Sequence, residues 1–338
     1  MSALQITWFW LIGLLLAGYV VLDGFDLGVG FWYLFTRKDT DRRALLASIM
    51  PYWDGNEVWL LTGGGAVFAA FPQVYATVFS GLYLALMLVL FALIFRAVSI
   101  EFRNQSDSPR WRGAWDIAFA LGSILPALLF GVAAGNLLRG LPIDEAGNYT
   151  GTFFSLLNPY ALLTGLAGLA MFATHGALFA AMKTEGDLSD RAVEWAKKAF
   201  WVYAVLLVGT VGVTIVNRAG LMANYQANPA LWALPVLMLA AVACIMVFLK
   251  SKQISKAFLS SCAAILAMFA TLGAAVFPNM VPSITDPALS LTLANASSSA
   301  LTLKTMLILA VIGVPIVLAY TVWVHLIFRG KAEEHAGY

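Results

Sequence analysis

Asp23 and Asp26 lie three residues apart within GYVVLDGFDLGVG, Gly18 to Gly30, inside a long apolar run. That spacing puts both carboxylates on one face of a helix. Asp54 and Glu57 repeat it in PYWDGNEVW, Pro51 to Trp59, where the next apolar run begins. A charged carboxylate at the centre of a span costs about 2.5–3.5 kcal/mol on the insertion scale, so acids retained there pair with cations or relay protons. Arg96, ending the third apolar run, is the nearest candidate cation, although an arginine at a helix end snorkels by default. For Asp54 and Glu57 the plain reading is equally open, because acids behind Pro51 favour the positive end of a helix dipole. Asp116, opening the fourth run, reads as an interfacial acid.

The elements that must hold these groups follow from composition. The chain has 338 residues, 61% hydrophobic and 11% charged, with a mean hydropathy of +0.83. This predicts an all-α polytopic membrane protein, one integral membrane domain over 1–338. A net charge of +2 without a basic patch argues against nucleic acid. Cys244 and Cys262 offer no metal or disulfide spacing. Nine apolar segments are predicted, at about 6–35, 52–71, 74–98, 114–137, 159–182, 199–218, 230–249, 257–277 and 303–328. The ends of these segments divide into two sets, and 17 of the 20 Lys and Arg fall on one of them. The positive-inside rule then places the N-terminus outside, in the periplasm, and the C-terminus in the cytoplasm. With a rise of about 1.5 Å per residue, Asp23 sits about 25 Å down the first helix, toward the side where Asp54 and Glu57 begin the second. The N-terminus, MSALQIT, lacks the positive region of a secretory signal, which predicts a retained first helix.

Other signals are structural. Gly24, Gly28 and Gly30, then Gly63 to Gly65, then Gly131 and Gly135 read as sites of close helix approach. Tryptophans at segment ends, among them Trp8, Trp10, Trp53, Trp59 and Trp111, suggest an interfacial belt. Residues 183–198 carry acids and bases at i,i+3 and i,i+4 spacing, which suits a helix extending beyond the bilayer. Of three histidines, His175 is interior, His325 is near the end of the last span and His335 is in the tail. Membrane haem sites use facing ligand pairs. A lone interior histidine is more often a hydrogen-bonded core residue, so no haem is expected on this chain.

Longer stretches carry a family resemblance. GYVVLDGFDLGVG, PYWDGNEVWLLTGGGAVFAAFPQVYATVFSGLY, LIFRAVSIEFR and WRGAWDIAFALGSILPALLFGVAAGNLLRG, with FFSLLNP and FPNMVPS further on, resemble subunit 2 of bacterial cytochrome bd-type quinol oxidases. The likeness runs from the first helix to the last and is densest over the first 140 residues. The short connection Gly220–Pro229 suits the compact branch that includes cyanide-insensitive enzymes. The resemblance implies two four-helix bundles plus one additional helix, without haem, in the bacterial inner membrane. It also implies a partner, subunit 1, holding two b-type haems, one d-type haem and the quinol site. A small single-helix accessory subunit accompanies some members. The complex would oxidise quinol, reduce O2 to water and draw protons from the cytoplasm. Asp23, Asp26 and Asp54 match acidic positions on the proton route proposed for the family, and Glu57 joins them by its spacing. Trp59 matches a position on an apolar route for O2. Asp26 and Arg96 match positions near a bound structural quinone.

Two rival readings use the same carboxylates. One is a proton-coupled secondary transporter, against which stand the one-sided acids and a span count that does not halve. The other is an assembly subunit whose acids only neutralise cations.

Overall fold

The computed structural model describes residues 1–332, and His335 lies outside the described residues. The chain is mostly helical. Twelve α-helices are described: α1 Ala3–Phe35, α2 Asp39–Ile49, α3 Trp53–Ala70, α4 Pro72–Gly81, α5 Tyr83–Phe102, α6 Pro109–Arg139, α7 Pro159–Lys183, α8 Gly186–Asn217, α9 Ala223–Ala227, α10 Ala233–Lys250, α11 Ile254–Val276 and α12 Ala300–Ile327. Among the described residues, eight helices are long and apolar enough to cross a membrane. Helix α3, the remaining predicted span, has 18 residues, but Asp54, Asn56, Glu57 and four glycines lower its hydropathy.

Helix α1 is the hub. Ser2 caps it, its hydroxyl accepting the amide of Gln5 while Gln5 Oε1 accepts the amide of Ser2 at 2.7 Å. It packs against α3, α6, α7 and α11 and touches α12. From Asp23 to Gly30 every residue is buried, as expected where a helix is enclosed on all sides. Gly28 makes this possible. A Cβ there would overlap the Phe172 carbonyl and come within 2.7 Å of the Gly176 amide, so α1 and α7 cross backbone to backbone. Gly131 and Gly135 do the same for α6 against α7, at Gly165 and Ala161.

The long helices pack in two groups, α1, α3, α5 and α6, then α7, α8, α10 and α11, joined through α1, α6 and α7. Helix α12 lies against α1 and α3, with only 6% of its apolar window buried. The connections at one end fold into a cap. Strands β1 Asn279–Val281 and β2 Leu291–Thr292 pair there. The loop after α6 joins them: the Leu141 amide donates to the Pro282 carbonyl at 2.9 Å, and Val281 and Ile143 are fully buried. At the opposite end α8 continues beyond the apolar run as expected, with Arg191–Asp187 and Lys197–Glu194 pairs at 3.0 and 2.7 Å.

Three expectations change. The predicted span 74–98 is two helices. Short α4 lies under the cap, where Thr77 donates to the Gly147 carbonyl at 2.6 Å, and only α5 runs across. A Cβ on Gly65 would meet open space, so close packing explains Gly63, against Leu16, and not Gly65. The aromatic belt is partial. Trp111 is exposed, but Trp8 is buried and donates to the Leu303 carbonyl at 2.9 Å, anchoring the start of α12 on α1.

Candidate functional site: a buried carboxylate cluster

Asp23 and Asp26 project from α1, Asn56 and Glu57 from the first turns of α3, and Arg96 from α5. Arg96 reaches them because α6 carries Gly122, where a Cβ would sit 2.9 Å from the Arg96 side chain. Its guanidinium grips both oxygens of Asp23, Nη1 donating to Oδ2 at 2.9 Å and Nη2 to Oδ1. Both residues are fully buried. A forked pair of this kind is the strongest geometry available to a carboxylate.

Asp26 is held differently. Its Oδ2 accepts from Asn56 Nδ2 at 2.8 Å, and Asn56 also donates to the Leu22 carbonyl at 3.1 Å. Its Oδ1 is buried and lacks a partner among the described residues. Glu57 Oε1 lies 3.5 Å from Arg96 Nη2, beyond good hydrogen-bond reach, and its side chain is 26% exposed. Six buried side-chain polar atoms are unpartnered among the described residues, and four crowd here: Tyr19 Oη, Asp26 Oδ1, Glu57 Oε1 and Arg96 Nε. Protein interiors satisfy nearly all such atoms, so the concentration marks this spot as different from the rest of the core. Three carboxyl groups share one guanidinium, which compensates one of them; the other two hold protons or face charge from outside the chain.

The cluster therefore unites Asp23, Asp26, Glu57 and Arg96. It does not include Asp54, which is exposed on the first turn of α3 and makes no hydrogen bond among the described residues. Trp59 is buried, its ring seated on Gly18, where a Cβ would come within 2.6 Å.

Two polar centres escaped sequence reasoning. Asp116 lies at the helix ends, as an interfacial acid would, but not in contact with water. It is buried and takes Arg103 Nε at 2.6 Å, Arg42 Nη1 at 2.5 Å and the Tyr33 hydroxyl. Arg103 in turn reaches Asp39 at 2.5 Å, so the ends of α1 and α5 and the starts of α2 and α6 meet in one network. Its hydrogen bond from Arg103 holds the Asp39 carboxyl below the usual range. Lys183, ending α7, donates to the Tyr52 hydroxyl at 2.8 Å and to the Phe328 carbonyl at the end of α12. These partners are up to 145 residues apart in the chain, and no local spacing signals them.

The comparisons with known proteins bear on this arrangement. The profile of the family described as cytochrome bd terminal oxidase subunit II matches residues 4–328. The chain belongs to that family. It is 40% identical over 364 residues to cytochrome bd-I ubiquinol oxidase subunit 2 of Escherichia coli K12, covering 98% of this chain and 96% of the relative. It is 36% identical over 337 residues to cytochrome bd ubiquinol oxidase subunit 2 of Bacillus subtilis, covering 99% and 98%. In fold it is similar to a chain of the bd oxidase from Geobacillus thermodenitrificans, with a TM-score of 0.80 at 14% identity over 98% and 100% of the two chains. As a cytochrome bd oxidase subunit II, the protein is part of a respiratory terminal oxidase and crosses the bacterial cytoplasmic membrane several times.

The histidines of this cytochrome bd subunit can be tested for haem ligation. His175 Nδ1 lies 2.6 Å from Ser261 Oγ and Nε2 lies 2.9 Å from the Val21 carbonyl, so both ring nitrogens are engaged. Its ring stacks on Phe258. It is the hydrogen-bonded core histidine expected. His325 bonds the Thr321 carbonyl on its own helix. Among the described residues no group of three His, Cys, Asp or Glu side chains is placed to hold a metal ion.

Proposed function

We propose that this chain is the haem-free partner in a quinol-oxidising, O2-reducing complex. In this reading a subunit 1 carries two b-type haems and one d-type haem, and the chain stabilises it and leads cytoplasmic protons toward it. The observation that carries the reading is the contrast inside the cluster. Asp23 is locked to Arg96, whereas Asp26 and Glu57 each present a buried oxygen without a hydrogen-bond partner among the described residues. Asp23 is then a fixed counter-ion, and Asp26 and Glu57 exchange protons through water filling the orphaned positions. Asp54, exposed beyond Glu57, is the entry group. Trp59, set in apolar packing, lines the passage of O2.

The face on which subunit 1 would dock is that of α3 and α12. Asp54 and the half-buried Glu57 share the open side of α3 with Leu61, which is 75% exposed, and hydrocarbon would not accept the carboxylates. The Lys and Arg distribution supports nine crossings with the N-terminus in the periplasm. Asp26 and Arg96 have no accessible surface of their own, so a quinone ring would approach them from the side of Glu57. Family membership favours this reading over a transporter.

Purification through a C-terminal tag in mild detergent, followed by a reduced-minus-oxidised optical spectrum, tests the partnership. Haem b and d bands with a second large subunit are expected, and a colourless chain purifying alone overturns it. Asp26→Asn tests the relay: quinol oxidase turnover should fall with haem content unchanged, and unchanged turnover would remove Asp26 from the route.

A further inference from the structure

At the capped end of the helices a cavity of about 490 Å³ opens between α6, α7 and α8. Arg139, Asn158, Tyr160, Val213, Asn217 and Arg218 line it. Arg139 is in the last turn of α6 and Arg218 caps α8. Cations at these places complement the helix dipoles, which explains their presence but not the space between them. Neither arginine forms an ion pair among the described residues. Arg218 Nε is buried with no hydrogen-bond partner there, and Arg139 reaches only the Ser155 carbonyl, at 3.5 Å. Of the neutral lining, Asn158 caps α7 and donates to Asn136, and Tyr160 bonds Thr214 at 2.8 Å. Two guanidiniums facing one cavity, without a carboxylate between them, are complementary to an oxyanion that accepts from both.

What lies beside the cavity narrows the class of anion. Helix α8 exposes Val205, Val208, Val211, Ile215 and Val216 on the side turned away from Val213 and Asn217, with Val216 78% exposed, so hydrocarbon covers the outer face of the helix that walls the cavity. The two arginines stand at the level of the helix ends, where lipid headgroups lie. A phospholipid suits both surroundings, acyl chains against the helices and a phosphate in the cavity. We propose that Arg139 and Arg218 form a binding site for the phosphate headgroup of an anionic phospholipid. The site belongs to the α6–α7–α8 side of the molecule, away from α3 and α12, and is separate from the carboxylate cluster.

The test uses the intact complex carrying this chain, delipidated in mild detergent and re-supplied with dioleoylphosphatidylglycerol, dioleoylphosphatidylcholine or inorganic phosphate. Native mass spectrometry counts the adducts. One phosphatidylglycerol should survive washing that removes phosphatidylcholine. Arg139→Gln with Arg218→Gln should weaken its retention about tenfold or more, and Arg218→Lys should keep part of it. If the double variant fails to assemble, Arg139→Gln alone carries the test, with loss of the same adduct expected. Equal retention by wild type and variants overturns the site. A phosphate adduct formed in place of the lipid overturns the lipid assignment.

Discussion

Arg96 and Asp23 make two parallel hydrogen bonds across the α1–α5 interface with neither side chain reaching the surface. Removing one partner of a buried pair leaves the other charged and alone, at a cost of about 3–5 kcal/mol. Asp23→Asn should therefore reduce assembly and haem content together, unlike Asp26→Asn. Arg96→Met with Asp23→Leu should recover much of the lost thermal stability, since an apolar pair replaces an ionic one. Thermal midpoints of the purified complexes, read with haem content, check both.

The crossing of α1 over α7 admits no side chain at Gly28. Gly28→Ala should destabilise by at least the upper end of the roughly 1–3 kcal/mol typical of overpacking, because the obstacle is the backbone of Phe172 and Gly176. Gly65→Ala, facing open space, serves as the control and should leave the thermal midpoint in place.

Lys183 tethers the end of α12, a helix that buries little else. Lys183→Met removes charge-assisted bonds of about 1.5–3 kcal/mol. The expected outcome is faster proteolysis after Phe328 with the rest of the chain protected, measured by limited digestion and mass spectrometry. Cleavage at the wild-type rate would show that the hydrogen bond from the Tyr52 hydroxyl to the Phe328 carbonyl, 2.8 Å long, suffices.

Asp39 is held below the ordinary carboxylate range by Arg103 and Arg43. A depressed folded-state value means its contribution is complete above the ordinary range and is lost as pH falls through the folded value. The side chain is 46% exposed, so the contribution is about 0.2–1 kcal/mol. The thermal midpoint of Asp39→Asn should lie below wild type at neutral pH and converge with it in strong acid.

The helices and the acids of α1 were legible because apolar run length and i,i+3 spacing are local properties of a chain. Asp23, Asp26, Glu57 and Arg96 came together as the sequence suggested, since each had only one apolar layer to cross to meet the others. Asp54 did not, because helix start positions near a membrane surface decide exposure and composition does not. The Asp116 network and the Lys183 tether depend on which helix ends become neighbours. Arg42, Arg103 and Asp116 are drawn from three elements, and nothing in their surroundings in sequence distinguishes them from surface charges. The division between α4 and α5 was hidden for a similar reason, since the cap loop that holds α4 comes from residues after α6.

The burial of Asp23 to Gly30 also sets an order of events during synthesis. Helix α1 leaves the ribosome before the helices that enclose it, and Gly28 meets Gly176 only after about 150 further residues, which takes about 7–30 s at ordinary elongation rates. Asn56 and Arg96 reach the two carboxylates earlier, but for that interval the bare glycine groove stands in the bilayer without its neighbour. A nascent chain that stalls before α7 is thus distinguishable from a finished one by its first helix alone, and membrane quality-control proteases have a substrate there that completion of the protein withdraws.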